Sequence, residues 1–370
     1  MSEWFAPSWY KSAKNNTEEN EPETEPEPET EPEIIETPCE EVDIFATKGI
    51  QGGYENILAG IPTAPDDLPY MAPQEMSYAI FGRDDWLFYT GENALPYYLG
   101  TNVLSEEEMA SFKDCFENLD EICEGIGVRL VILVCPNKEQ VYPELMPSYP
   151  IETEYKRLLT FEQYMHENSD VTFVYPLREM VPEKAKGRPL YFMQDTHWND
   201  VGASVAAKAV CKALGFPVKP FDEVTYEEST HYGGDCGDCT GLSTTYPDYL
   251  ITYRPEVTLE REAWEATGED LTSDIDQGIV RYTSSPHTTD RMLLMYGDSF
   301  RVKLVPILAK NFGEAWAFHR SYASWDLSIQ ALSKLKPGDV LIVQAVERYD
   351  EYNTYNANEL ADLLTSLFYY

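Results

Sequence analysis

The sequence predicts an α/β fold: a doubly wound parallel sheet in a three-layer α/β/α arrangement, with an irregular insertion. Three observations carry that prediction. From about residue 129 to the end, short β-branched and aliphatic runs alternate with helical patterns. Two of those runs, Arg129-Leu130-Val131-Ile132-Leu133-Val134 and Val340-Leu341-Ile342-Val343, are continuously apolar, as in strands covered on both faces. The chain has 370 residues, enough to bury one large core.

Residues 1–44 are read as a disordered acidic tail. Residues 15–41 hold twelve Glu and no Lys or Arg, and Glu, Pro and Thr nearly alternate from 21 to 33. Self-repulsion and proline prevent such a segment from packing. One globular domain, 45–370, follows. Tyr78-Ala79-Ile80-Phe81 and Trp86-Leu87-Phe88-Tyr89 flank the turn Gly82-Arg83-Asp84-Asp85 as two strands. Ser105-Glu106-Glu107-Glu108 opens a helix reaching about Glu124, its acids at the positive end of the dipole. After strand 129–134 come a helix near 156–168, the strand Val171–Tyr175 and an Ala-rich helix over 203–214. The rhythm breaks over about 215–290, rich in Gly, Thr, Tyr and acid, and this stretch is read as the insertion. Alternation resumes with strand 291–296, helix 300–310, strand 315–318, helix 326–334, strand 340–343 and a terminal helix near 357–368.

The formal net charge is −38, and only twelve of the 65 acidic residues lie in 15–41, so the domain itself is acidic. Such a surface repels phosphate backbones and anionic lipid, which argues against nucleic-acid and peripheral membrane binding. No stretch approaches the ~20 apolar residues of a membrane span, so no direct membrane insertion is expected. Met1-Ser2-Glu3-Trp4-Phe5 lacks a basic start and an apolar run, so no signal peptide is read in the sequence as given. Seven Cys, an odd number, do not suggest a full disulfide framework. Cys236-Gly237-Asp238-Cys239 is read as a local disulfide or two free thiols, since no second pair at zinc-site spacing exists.

Two segments carry chemistry. Gly297-Asp298-Ser299-Phe300 follows an apolar strand and leads into a helix, at the carboxyl end of the sheet where such folds bind ligands. Helix-start N–H groups there suit an oxyanion, with the Ser299 N–H the natural first donor; the plainer reading is an ordinary serine cap. Asp195-Thr196-His197-Trp198-Asn199 precedes the Ala-rich helix. In an extended segment Asp195 and His197 would face the same side, the acid holding one imidazole nitrogen while the other faces a hydroxyl. The plainer reading is an Asp/His pair capping the helix. Metal ligation by the pair would need a third ligand such as His231 or His319.

These segments resemble, in the right order, bacterial SGNH-hydrolase-like proteins of the alginate O-acetyltransferase AlgX/AlgJ type and the related DHHW family. Asp195-Thr196-His197-Trp198-Asn199 with Gly202-Ala203 is similar to their Asp-x-His-Trp-Asn segment. Gly82-Arg83-Asp84-Asp85-Trp86-Leu87-Phe88 resembles their early turn, with Asp85 where Gly is usual. Pro136-Asn137-Lys138, Val141-Tyr142-Pro143-Glu144 and Pro147 resemble their Pro-x-Lys and Val-Tyr-Pro-Glu stretch, and Gly297–Phe300 their nucleophile block. The resemblance implies an SGNH-like fold and serine-dependent acetyl transfer to or from carbohydrate. Ser299 would be the nucleophile, His197 the base and Asp195 the orienting acid, with Arg320, Asn199 and Tyr322 as substrate or oxyanion candidates. It implies no cofactor and no metal. The partners would be a carbohydrate or polysaccharide acceptor and a membrane acyl-donor protein, at an extracellular or cell-surface location. A carbohydrate acetyl esterase and a non-catalytic polysaccharide-binding protein are the rival readings.

Overall fold

The computed structural model describes residues 45–48, 63–151, 153, 155–216, 223–254, 257–263, 279–319 and 325–369. The acidic tail, Arg320 and Tyr322 lie outside the described residues. A small antiparallel sheet comes first: β1 (Glu75–Met76), β2 (Ala79–Phe81) and β3 (Leu87–Tyr89). Its β2–β3 turn holds Asp84 and Asp85 at φ 54° and 63°. Left-handed backbone is costly for most side chains but tolerated by Asp, so the acid at 85 occupies a position that favours Gly.

After α1 (Ala94–Leu99), helix α2 (Glu106–Gly125) starts at a capping box. The Glu108 N–H donates to Ser105 Oγ at 3.2 Å, and the Ser105 N–H donates to the Glu108 carboxylate at 2.8 Å. Then follow β4 (Arg129–Cys135), α3 (Lys138–Val141), α4 (Arg157–Asn168), β5 (Phe173–Val174), α5 (Leu177–Lys184) and α6 (Asp200–Ala213). Next are β6 (Glu223–Tyr232), α7 (Asp235–Thr240), β7 (Thr245–Arg254), β8 (Thr258–Ala263) and β9 (Ile279–Ser285). The chain ends with β10 (Thr289–Gly297), α8 (Arg301–Leu308), β11 (Phe312–His319), α9 (Trp325–Leu332), β12 (Val340–Val346) and α10 (Asp350–Phe368).

The main sheet has seven strands in the order β5-β4-β12-β10-β11-β9-β8. The first five run parallel; β9 and β8 add an antiparallel edge. Every residue of β4 and β12 is buried, so helices cover both faces. Helices α2 and α10 pack together against β4 and β12, while α6 and α8 pack together, α6 against β4 and β5 and α8 against β10 and β11.

The expected insertion over 215–290 is corrected in part. Among the described residues of this stretch, β6 and β7 form a separate antiparallel pair, whereas β8 and β9 belong to the main sheet. Their mixed composition, as in Thr258-Leu259-Glu260-Arg261-Glu262-Ala263, is that of strands at an edge rather than at the centre of a sheet. Helix α10 also starts seven residues before the expected 357, because Asp350-Glu351-Tyr352-Asn353 lacks the apolar periodicity of the later turns.

Candidate active site

The segment leading into α6 folds back on itself. The Asn199 N–H donates to the Leu190 carbonyl at 3.0 Å, and the Phe192 N–H to the His197 carbonyl at 3.2 Å. Within it Asp195 and His197 lie in a bend, not in the extended geometry expected. Asp195 Oδ1 accepts the His197 backbone N–H at 2.9 Å and lies 2.6 Å from His197 Nδ1. This is a side-chain-closed turn, the kind of local bond Asp makes to the backbone two residues on. The buried Lys138 ammonium sits beneath. Its Nζ donates to the carbonyls of Phe192, Met193 and Asp195 at 3.1, 3.1 and 2.6 Å, which uses all three of its protons.

The serine turn is held from the sheet. Gly297 ends β10, and a Cβ there would meet Gln344 Oε1 at 2.2 Å. The buried Asp298 carboxylate accepts the Phe300 N–H at 2.9 Å, the Gln344 amide at 2.8 Å and the Val346 N–H at 2.7 Å. Phe300, not Ser299, is the N-cap of α8, so the plainer reading of Ser299 as a helix cap does not hold. The Trp198 indole N–H donates to the Phe300 carbonyl at 3.1 Å, joining the two segments. Ser299 Oγ then lies 2.7 Å from His197 Nε2. The structure therefore lines up Asp195, His197 and Ser299, 102 positions separating the last two. This is the arrangement by which an imidazole activates a hydroxyl.

A second acid, not singled out from the sequence, joins them. The Asp235 carboxylate accepts the Thr196 N–H at 2.7 Å and the Thr196 hydroxyl at 2.9 Å, and lies 3.7 Å from His197 Nδ1. The Asp235 N–H in turn donates to Asp195 Oδ2 at 3.2 Å. Gly234 permits this approach: its φ is 135°, and a Cβ would sit 2.6 Å from the Asp195 Cβ. The adjoining Cys236 and Cys239 are free thiols, the first buried and the second exposed. Among the described residues, the acid that joins Asp195 and His197 is thus Asp235. His231, one of the two histidines considered as a third metal ligand, instead lies against the Phe192 ring, 4.3 Å between centroids.

Burial opposes the charged imidazolium of His197, but the Asp195 charge and hydrogen bond, with the Asp235 charge, outweigh it and raise the His197 pKa. Burial likewise opposes the Asp195 charge, yet His197 and the bonds around it hold that carboxyl well below the usual range. Burial and then the Asp195 charge push Asp235 up to about 6. A general base must be neutral, so activity is expected to rise with pH, with its acid-side midpoint above the ordinary imidazole value of about 6.5. Asp235→Asn removes one of the charges that raise it, so that midpoint moves to lower pH. A kcat/KM profile of the two proteins checks this, and identical acid limbs would show that Asp235 does not act on His197.

A cavity of about 20 Å³ opens on Asp195, His197 and Ser299, walled by Phe192, Trp198, Phe300, Val302 and Lys303. Lys303 pairs with Asp200 at 3.1 Å. Asn199, expected as a substrate or oxyanion group, is otherwise engaged: buried, it accepts the Gly202 N–H as the N-cap of α6 and donates to the Pro189 carbonyl and to Asp248. Asn199 therefore caps the helix, a role the plainer reading gave to Asp195 and His197.

A family model described as SGNH hydrolase-like domain, acetyltransferase AlgX, matches residues 79–268, a span that includes Asp195, His197 and Asp235 and ends before Ser299. The probable alginate O-acetylase AlgJ of Pseudomonas putida is 31% identical over 223 residues, covering 56% of this chain and 55% of that protein. The probable alginate O-acetylase AlgJ of Pseudomonas syringae pv. tomato is 25% identical over 224 residues, covering 56% and 54%. The chain thus spans about half the length of the curated relatives it matches. Among solved structures, a DHHW family protein from Eubacterium siraeum aligns over 82% of this chain and 98% of its own, with 16% identity and a TM-score of 0.50, a likeness of fold. With more than half of its length matched by the family model, the chain belongs to the SGNH hydrolase-like AlgX family.

Proposed function

We propose that this protein transfers acetyl groups to carbohydrate hydroxyls through an acyl-enzyme on Ser299. The observation that carries the reading is the position of His197, with Nε2 2.7 Å from Ser299 Oγ and Nδ1 2.6 Å from Asp195. The names of the AlgJ relatives, alginate O-acetylases, support a polysaccharide as acceptor. In the first half-reaction His197 Nε2 takes the Ser299 proton as Oγ bonds to the acetyl carbonyl carbon. The tetrahedral intermediate collapses, the bond to the donor breaks, and the leaving group departs with that proton. In the second, His197 takes a proton from the sugar hydroxyl as the sugar oxygen bonds to the acyl carbon. The intermediate collapses, the bond between that carbon and Ser299 Oγ breaks, and Oγ takes the proton back as the acetylated sugar leaves. Asp195 orients the imidazole and stabilises its charged form, and Asp235 holds the same turn through Thr196. The Ser299 N–H at the turn serves as the first oxyanion donor. A membrane protein as acyl donor, and work outside the cytoplasm, fit this reading.

Acceptor dependence is the test. Turnover of p-nitrophenyl acetate is expected to be slow alone and faster with an oligosaccharide, which then carries acetyl by mass spectrometry. Unchanged turnover, with efficient removal of acetyl from acetylated sugars, would assign an esterase instead. No turnover of either kind would leave a binding protein.

A further inference from the structure

A band of aromatic rings runs from the His197–Ser299 pair to the surface at the carboxyl end of β12. The Phe300 ring, 4.9 Å from the His197 ring, faces the Arg348 guanidinium at 5.7 Å. Arg348 lies two residues beyond β12 and is also 5.0 Å from the Tyr89 ring and 5.5 Å from the Tyr349 ring. Glu92 is 3.4 Å from Arg348 Nε, and its carboxylate lies against the phenols of both tyrosines. Two more rings extend the band. Tyr78 is 6.5 Å from Tyr89 and 65% exposed, and Tyr352 is 5.4 Å from Tyr349 and 47% exposed.

The inner part is fixed by charge and the outer part presents large rings to water. Aromatic faces bury the C–H faces of a pyranose while a carboxylate accepts from its hydroxyls, and here the Glu92 carboxylate, partly exposed, adjoins the rings. The buried Arg348, which donates to Asn137 Oδ1 at 3.1 Å, holds Glu92 and the rings from behind. Adjacency to the His197–Ser299 pair selects the occupant: the exposed rings connect to His197 through the buried Arg348 and Phe300, so a sugar seated on them lies at the same carboxyl end of the sheet as Ser299. We propose that Tyr78, Tyr89, Tyr349 and Tyr352, with Glu92, seat the acceptor oligosaccharide on the Ser299 side of the sheet, Arg348 holding the rings in place. This rests on the acyl-transfer reading. The seat draws on the small first sheet and the β12–α10 junction.

The test uses the full chain carrying Ser299→Ala, titrated calorimetrically with chitohexaose and with hexamannuronate. The variant is compared with the same protein carrying Tyr78→Ala and Tyr352→Ala, both exposed positions, with the thermal midpoint as the folding control. At least one hexasaccharide is expected to bind, and its Kd to rise about tenfold or more in the double-tyrosine variant, about 1.4 kcal/mol. Tyr355→Ala, a solvent-exposed tyrosine of α10 outside the band, is expected to leave Kd unchanged. With the native serine, the acceptor KM for acetyl transfer should rise in parallel. The proposal is overturned if neither sugar binds, or if binding is the same with and without the two tyrosines. Tyrosine-dependent binding without any transfer or ester turnover by the native protein would uphold the sugar seat and refute the acyl-transfer reading.

Discussion

Replacing Ser299 with Ala is expected to lower kcat/KM for a small acetyl ester by about 10⁴-fold or more, the scale seen when a nucleophile is removed from a serine–histidine–acid arrangement. The fold should be untouched. The Asp298 carboxylate, not the serine hydroxyl, ties this turn to Gln344 and Val346. The far-ultraviolet circular dichroism and melting temperature of the variant should therefore match those of the native protein. His197→Ala should fall as far, and the double variant little further, because the two groups act as a unit. A loss of less than about tenfold in Ser299→Ala would place the reactive group elsewhere.

Lys138→Met is expected to lower both stability and activity. The ammonium is the donor that three backbone carbonyls of the 192–195 segment share, and it sits 5.6 and 5.2 Å from the Trp86 and Phe88 ring centroids. Methionine keeps most of the ring packing but leaves the Phe192 and Asp195 carbonyls without that donor, while the Met193 carbonyl still accepts the Leu87 N–H at 2.9 Å. Unsatisfied buried groups cost roughly 1–3 kcal/mol each, so a loss of about 2 kcal/mol or more is expected, a fall of roughly 3 °C in melting temperature. Activity should fall with it, because the same segment carries Asp195 and His197. Differential scanning calorimetry and ester turnover measure the two effects. A variant that melts and turns over like the native protein would show that the rings, not the amine, hold the segment.

The parallel strands were legible because burial on both faces leaves a continuous apolar run, as in β4 and β12. The antiparallel strands β8 and β9 were not, since their mixed composition resembles a loop-rich insertion. Asp195, His197 and Ser299 were legible because each lies in a short local pattern. Their geometry was read for the wrong reason: a turn closed by the Asp195 carboxylate, not an extended strand, brings Asp195 to His197. Asp235 escaped notice because it lies 39 and 40 positions from Thr196 and Asp195, and only the fold joins them. Asn199 was misjudged because a polar residue next to a candidate histidine looks the same in sequence whether it binds substrate or caps the following helix. Lys138 stood out only as part of a resemblance, since a sequence does not reveal which lysine is buried under backbone carbonyls.

The central claim is that His197, held by Asp195, makes Ser299 nucleophilic. Treating the folded protein with a fluorophosphonate and mapping the adduct by peptide mass spectrometry tests it most directly. The account predicts one stoichiometric adduct on the peptide containing Ser299, absent in His197→Ala and formed more slowly as the pH falls below the His197 pKa. A native protein that remains unlabelled, or is labelled at another residue, would contradict it.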